Sequence, residues 1–163
     1  MQQPIQSVCV IGAGTMGSGI ALSAAQSGLP VILFDINQAV LDKAIASVQK
    51  NLQFLVDKQK ISAEEKEIVF NRIQFISDIN RCKADVIIEA IIEKTEAKVS
   101  VFNQLAAVNS GDTIFASNTS SLSISDIQAH VDHPERVVGM HFFNPAHVMK
   151  LVEVVKGAQT AEA

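Results

Sequence analysis

The stretch VCVIGAGTMGSGI, beginning at Val8, constrains the fold more than any other part of the chain. Its first four residues are apolar and mostly β-branched, and a glycine ends the run. Gly12, Gly14 and Gly17 then fall in a G-x-G-x-x-G spacing, and the residues that follow are mostly small or apolar. A strand apolar at every position has to be covered on both faces, which is the situation of parallel sheets flanked by helices. Gly12 permits an immediate turn out of the strand, and Gly17 lets the next helix pack close against it. The pattern predicts a strand within 7–14 and a helix over 15–28, with Gly28 closing the helix just before Pro30.

No charged side chain occurs before Asp35, so the N-terminal stretch could be mistaken for a secretory leader or a membrane span. A leader needs a basic first segment, which is missing. A span needs an unbroken apolar run, and Gly12, Gly14, Gly17, Gly19, Gly28 and Pro30 interrupt this one. With 163 residues, 48% of them apolar, the chain suits one folded domain, residues 1–163. A net charge of -4 without a basic run argues against nucleic acid or an anionic membrane as partner. Cys9 and Cys82 have no metal-ligand spacing, and so few thiols fit a reducing cytoplasm rather than a disulfide framework. No pair of histidines has metal spacing with acidic or thiol company, so no metal is expected.

Further strands are expected at 30–35, 73–76, 84–91, 112–118, 136–143 and 150–157. Helices are expected across Gln38 to about Arg72, over 93–108 and over Ser123 to Ala129. Within the first of these, Val40, Leu41, Ile45, Val48, Leu52 and Leu55 fall near helical spacing. Ser62 and Glu65 form a capping box that starts a separate helix. Alternation of strand and helix means α/β with a mostly parallel sheet. The tail AQTAEA resembles the start of another helix, so Gln159–Ala163 is read as the edge of a following domain.

Strand, glycine turn, helix, second strand and terminal acid together are the fingerprint of a Rossmann-type, doubly wound dinucleotide site. Gly14 lets a pyrophosphate approach the backbone, and the helix end supplies free N–H groups and a positive dipole. Asp35 would accept hydrogen bonds from the adenine ribose and repel a 2′-phosphate, and no arginine follows it in DINQAV. The expected cofactor is NAD rather than NADP.

Four segments carry a more specific signal: GAGTMGSGIA (12–21), IIEAIIEKTEAK (87–98), FASNTSSLSI (115–124) and GMHFFNPAHVMKLVEVV (139–155). Together they closely resemble the NAD-binding domain of L-3-hydroxyacyl-CoA dehydrogenases, including 3-hydroxybutyryl-CoA dehydrogenases, over nearly the whole chain. The resemblance implies an enzyme of fatty acid oxidation with His141 as catalytic base and Glu153 as its partner. Ser120 would bind substrate near the reacting oxygen and the nicotinamide, and Asn144 would line the same site. Ala13, Thr15 and Met16 of the glycine turn, with Ala90, Glu93, Lys98 and Asn118, would lie along NAD. Coenzyme A contacts would fall in the helical arm after the second strand, where Ser47 and Lys50 lie. The family also has a C-terminal helical domain, not in this chain, that forms a homodimer and contributes another active-site asparagine.

The residue chemistry agrees. Oxidation of a secondary alcohol to a ketone releases a hydride and a proton, and neutral imidazole takes a proton near neutral pH. Glu153, set among Leu and Val on a strand, is costly to bury without a partner, and an Asn-Pro turn would fold it back to His141. Taken alone, His141 reads as a structural histidine and Ser117, Ser120 and Ser121 as loop capping groups. His130 and His133 read as solvated, and His147 as loop packing. Lys43, Lys50, Lys58 and Lys60 favour a phosphate-bearing ester over a non-CoA hydroxy acid. A non-catalytic NAD-binding module is the remaining alternative, against which the His141, Glu153 and Ser120 set speaks.

Overall fold

A computed structural model describes residues 4–162. Seven strands form one sheet: β1 Val8–Ile11, β2 Val31–Phe34, β3 Ile73–Ile76, β4 Val86–Glu89, β5 Ile114–Ser117, β6 Val137–Phe142 and β7 Val152–Lys156. Their order is β3-β2-β1-β4-β5-β6-β7, parallel throughout except for the antiparallel β6–β7 pair. Helices α1 Thr15–Gln26, α2 Gln38–Asp57, α3 Ala63–Asn71, α4 Thr95–Ala106 and α5 Ile124–Gln128 connect them. Strand order reverses on the two sides of β1, which is where a doubly wound sheet opens a crevice for ligand. Among the described residues no helix is long and apolar enough to cross a membrane.

The all-apolar strands are explained by two cores. Val8, Val10, Leu33 and Ile88 face α1, α2 and α3, while Cys9, Ile11, Ile87 and Phe115 face α4 and α5. Helix α2 contributes Leu41, Ala44, Val48 and Leu52, a stripe at helical spacing. Ala44 takes the place expected of Ile45, which is only half-buried. Cys9 and Cys82 are both buried and free.

The local signals at helix ends act as read from the sequence. Gly28 adopts φ +95°. Its N–H donates to the Ala25 carbonyl and that of Leu29 to the Ala24 carbonyl, the paired bonds of a Schellman stop. Ser62 and Glu65 make both bonds of the capping box. The single polar segment from Gln38 to Arg72 is thereby cut into α2, a turn and α3.

Two features differ from expectation. Short 3₁₀ turns occur at Ile79–Arg81 and Pro134–Arg136. The tail has no helix over 158–162. Its polar groups are taken instead by the sheet side. Thr160 donates its hydroxyl to the Val137 carbonyl at 2.7 Å, and the buried Gln128 amide bonds both Thr160 and the Gln159 N–H. Ala163 lies outside the described residues.

Helix α1 lies so close to the turn that a Cβ on Gly17 would overlap the Gly12 carbonyl oxygen, whereas among the described residues no atom lies within 4 Å of a Cβ on Gly14. Gly17→Ala is therefore expected to cost about 3 kcal/mol or more, and Gly14→Ala less than about 1 kcal/mol, measured by urea unfolding without ligand.

Candidate active site

The carboxyl ends of the parallel strands share one rim of the sheet, and most of the residues expected to act lie there. Gly12 turns at φ +97°, where a Cβ would stand 2.7 Å from the Ala90 carbonyl oxygen. The Ala90 N–H donates to the Ile11 carbonyl at 2.8 Å, so β4 supports the glycine turn directly. Asp35 clamps that turn from β2. Its Oδ2 accepts the Ala13 N–H and its Oδ1 the Asn37 N–H, each at 2.9 Å. Each carboxylate oxygen keeps a second lone pair for a hydroxyl donor. Gly14 caps α1 without a side chain, Thr15 opens the helix, and Met16 packs on the core. The first turn of α1 carries no acid, so its N–H groups and dipole remain available to an anion. The residues present thus fit a dinucleotide pyrophosphate.

Beyond β4 lies an ionic network inside the protein. Lys98 and Glu89 are 1% and 0% exposed, and the Lys98 Nζ lies 2.6 Å from the Glu89 Oε1. Ions this deep cost several kcal/mol each unless paired and hydrogen-bonded. Glu89 also accepts the Ile91 N–H and the Ser117 hydroxyl, each at 2.7 Å. Lys98 continues to Glu93 Oε2 at 3.2 Å. Glu93 Oε1 in turn accepts the Thr119 and Ser121 hydroxyls and the Ser120 N–H. The loop after β5, which carries Ser120, is thereby tied to β4 and α4. Burial raises the Glu93 pKa, but the Thr119 hydroxyl, Lys98 and Ser121 together outweigh it and hold the carboxyl below its usual value.

His141 and Glu153 stand directly opposite each other in the antiparallel β6–β7 pair. The His141 Nδ1 lies 2.9 Å from the Glu153 Oε2. An ionised carboxylate only accepts, so Nδ1 is the donor, and in the neutral imidazole Nε2 then presents its lone pair. The Phe143 ring packs against the imidazole with centroids 4.8 Å apart, and Phe142 joins the core below. The Phe142 N–H donates to the Asn118 Oδ1 at 2.9 Å, which links the histidine strand to the loop after β5. Asn144 follows at a cis peptide bond to Pro145.

A cleft of about 270 Å³ runs from the glycine turn along α2. Lys43, Ser47 and Asn51 line one wall, and Asn144 and His147 line the other. Ser47, expected among the coenzyme A contacts, faces this cavity. Lys50 is not among the lining residues; Lys43, one turn earlier than Ser47, takes that place. His147 is not mere loop packing, since it faces the cleft, where burial lowers its pKa. His141 and Ser120 lie outside this cleft, which meets the histidine strand only at the segment that starts with Asn144. Among the described residues, no group of three or more His, Cys, Asp or Glu side chains could hold a metal.

Residues 7–163 match the family model for the 3-hydroxyacyl-CoA dehydrogenase NAD-binding domain. The chain belongs to that family. It is 48% identical over 96% of its length to 3-hydroxyadipyl-CoA dehydrogenase of Escherichia coli K12, covering 33% of that protein. It is 43% identical over 97% of its length to a probable 3-hydroxybutyryl-CoA dehydrogenase of Bacillus subtilis, covering 55% of it. The crystal structure of 3-hydroxybutyryl-CoA dehydrogenase from E. coli K12 superposes with a TM-score of 0.94 at 47% identity, over 98% of this chain and 34% of that one. The chain therefore spans one third to just over half the length of these relatives. Membership makes this an NAD-binding domain with a Rossmann-like sheet.

In this member of the family, His141 meets Glu153, Asn118 meets the histidine strand, and Glu93 joins Lys98 to the Ser120 loop. Glu89 and Thr119 were not anticipated, and Ser117, read as a loop capping group, accepts the Thr119 N–H and also donates to Glu89. The charge inside the apolar run VIIEAI was the available signal for Glu89, because an acid in a doubly covered strand requires a buried partner. Lys98→Met should destabilise the protein by about 3–5 kcal/mol, since it leaves the Glu89 charge buried and unpaired; urea denaturation measures this. Glu93 has a second signature. Its folded pKa is depressed, so its stabilisation is complete above the ordinary value of 4.5 and is lost as pH falls through the lower folded value. Stability followed from pH 7 to acid should fall less steeply below 4.5 in Glu93→Gln than in the unsubstituted chain.

Proposed function

We propose that the protein containing this domain is an NAD-dependent L-3-hydroxyacyl-CoA dehydrogenase, interconverting L-3-hydroxyacyl-CoA and 3-oxoacyl-CoA. The observation that carries this reading is the 2.9 Å His141–Glu153 pair at the rim that also bears the glycine turn. Bound NAD supplies the hydride acceptor. In the oxidation direction, the His141 Nε2 takes the hydroxyl proton of the substrate. The Glu153 carboxylate fixes the tautomer and stabilises the imidazolium that forms. In the reverse direction His141 returns that proton to the carbonyl oxygen. Such a base contributes about 10²–10⁴-fold, or roughly 3–5 kcal/mol of barrier. Ser120 orients the reacting oxygen from a loop held by Glu93, and Asn144 closes the side nearest the cleft.

The cleft supports a coenzyme A ester as substrate over a hydroxy acid without that handle. Its wall combines the Lys43 charge with the polar Ser47 and Asn51, a lining suited to a phosphate-bearing chain. The protein acts in the cytoplasm, as a homodimer formed through a helical domain that supplies the missing asparagine.

Following NADH oxidation by the full-length protein with acetoacetyl-CoA tests this reading; no turnover with NADH binding intact would sink it. His141→Gln should lower turnover by at least about 10²-fold while NADH affinity changes less than about threefold. Lys43→Glu should raise KM for the CoA ester by about tenfold, the scale of one charge-assisted contact, at near-normal turnover.

A further inference from the structure

Lys98 stands between two carboxylates but neutralises only one. Its 2.6 Å contact to Glu89 is buried on both sides, whereas its contact to Glu93 is 3.2 Å long and the Glu93 side chain is 39% exposed. One positive and two negative groups leave a surplus negative charge, located on the member that meets solvent. Glu93 cannot swing away, because Thr119, Ser120 and Ser121 all donate to its Oε1.

This surplus lies on a particular half of the site. Asp35 and the glycine turn receive the adenosine half of a dinucleotide on the β2 side of the switch point. The other half then crosses to the ends of β4, β5 and β6, where Glu93, the Asn118–Ser121 loop and His141 lie. Oxidised nicotinamide carries a positive charge and reduced nicotinamide carries none, while the rest of the two molecules is the same. A fixed charge on this side therefore acts on one oxidation state and not on the other.

We propose that Glu93 sets the oxidation-state preference of the NAD site, its uncompensated carboxylate holding NAD⁺ more tightly relative to NADH than a neutral residue would. Other charged groups near this rim, Lys94 beside it and Glu153 on β7, are untouched when Glu93 alone is changed, so they cancel in the comparison.

The test is titration calorimetry of the chain with NAD⁺, NADH and ADP-ribose. Glu93→Gln should lower the ratio of NAD⁺ to NADH affinity by about tenfold, the scale of a unit charge pair roughly 12 Å apart at an effective dielectric constant of about 20. ADP-ribose, which lacks the nicotinamide, should bind as before, and Glu93→Asp should keep the original ratio. If Gln packs poorly, Glu93→Ser reads the same ratio. An unchanged ratio in the neutral variants overturns the proposal. So does an equal loss of all three ligands, which would make Glu93 only a strut for the loop. Failure of the unsubstituted chain to bind ADP-ribose would reject the NAD site itself.

Discussion

The close approach of α1 to the Gly12 carbonyl is the constraint from which the site follows. Only a residue without a side chain at Gly17 lets the helix lie there. That position aims the helix N-terminus across the rim and fixes where β1 hands over to it. Asp35 then holds the turn by accepting the Ala13 N–H, and Ala90 supports it from the other side. Three elements distant in sequence are brought together around one peptide group. The free N–H groups at the start of α1 are left facing the crevice because the strand order reverses beside β1.

The buried ions do a similar job one strand further along. Apolar residues at both Glu89 and Lys98 would pack at little cost, so the pair does not earn its place through burial. Replacing buried ion pairs with apolar groups is often neutral or stabilising. What the pair supplies is direction. Glu89 takes donors from α4, from the start of the next loop and from β5, and Lys98 passes the connection on to Glu93. A loop rich in serine and threonine, which would otherwise bond to itself in several ways, is held in one arrangement.

Much of this was legible in the sequence, and the reasons differ by element. The strand IQFI at 73–76 and the capping box at Ser62 were readable because each depends on a few neighbouring residues. The glycine turn and Asp35 were readable because their spacing encodes a known geometry. The His141–Glu153 pair was readable through a resemblance and a plausible hairpin. The Lys98–Glu89 contact was not, since nothing local indicates which lysine enters the core. Lys50 was expected beside Ser47, but Lys43, one turn before Ser47 and on nearly the same face of α2 as Lys50, is the lysine that lines the cleft, since only the packing of the helix decides how far along it the cavity reaches. The tail failed as a helix for a related reason. Gln128, 31 residues before Gln159, accepts the Gln159 N–H and donates to the Thr160 hydroxyl, and these bonds hold the tail on a non-helical path.

The antiparallel pairing of β6 and β7 has a consequence for how this part of the chain can change. Side chains on a strand alternate faces, so shifting β7 by one residue would set Val152 or Val154 opposite His141 and turn Glu153 to the other side. The connection between the strands can alter its shape or length so long as the pairing does not slide. Its residues are free to vary where they shape the cleft, as at His147, while the hydrogen-bond ladder behind them preserves the distance between His141 and Glu153. The shape of the cleft and the geometry of the His141–Glu153 pair are thus mechanically decoupled, although both rest on the same nine-residue excursion from the sheet between Phe142 and Val152.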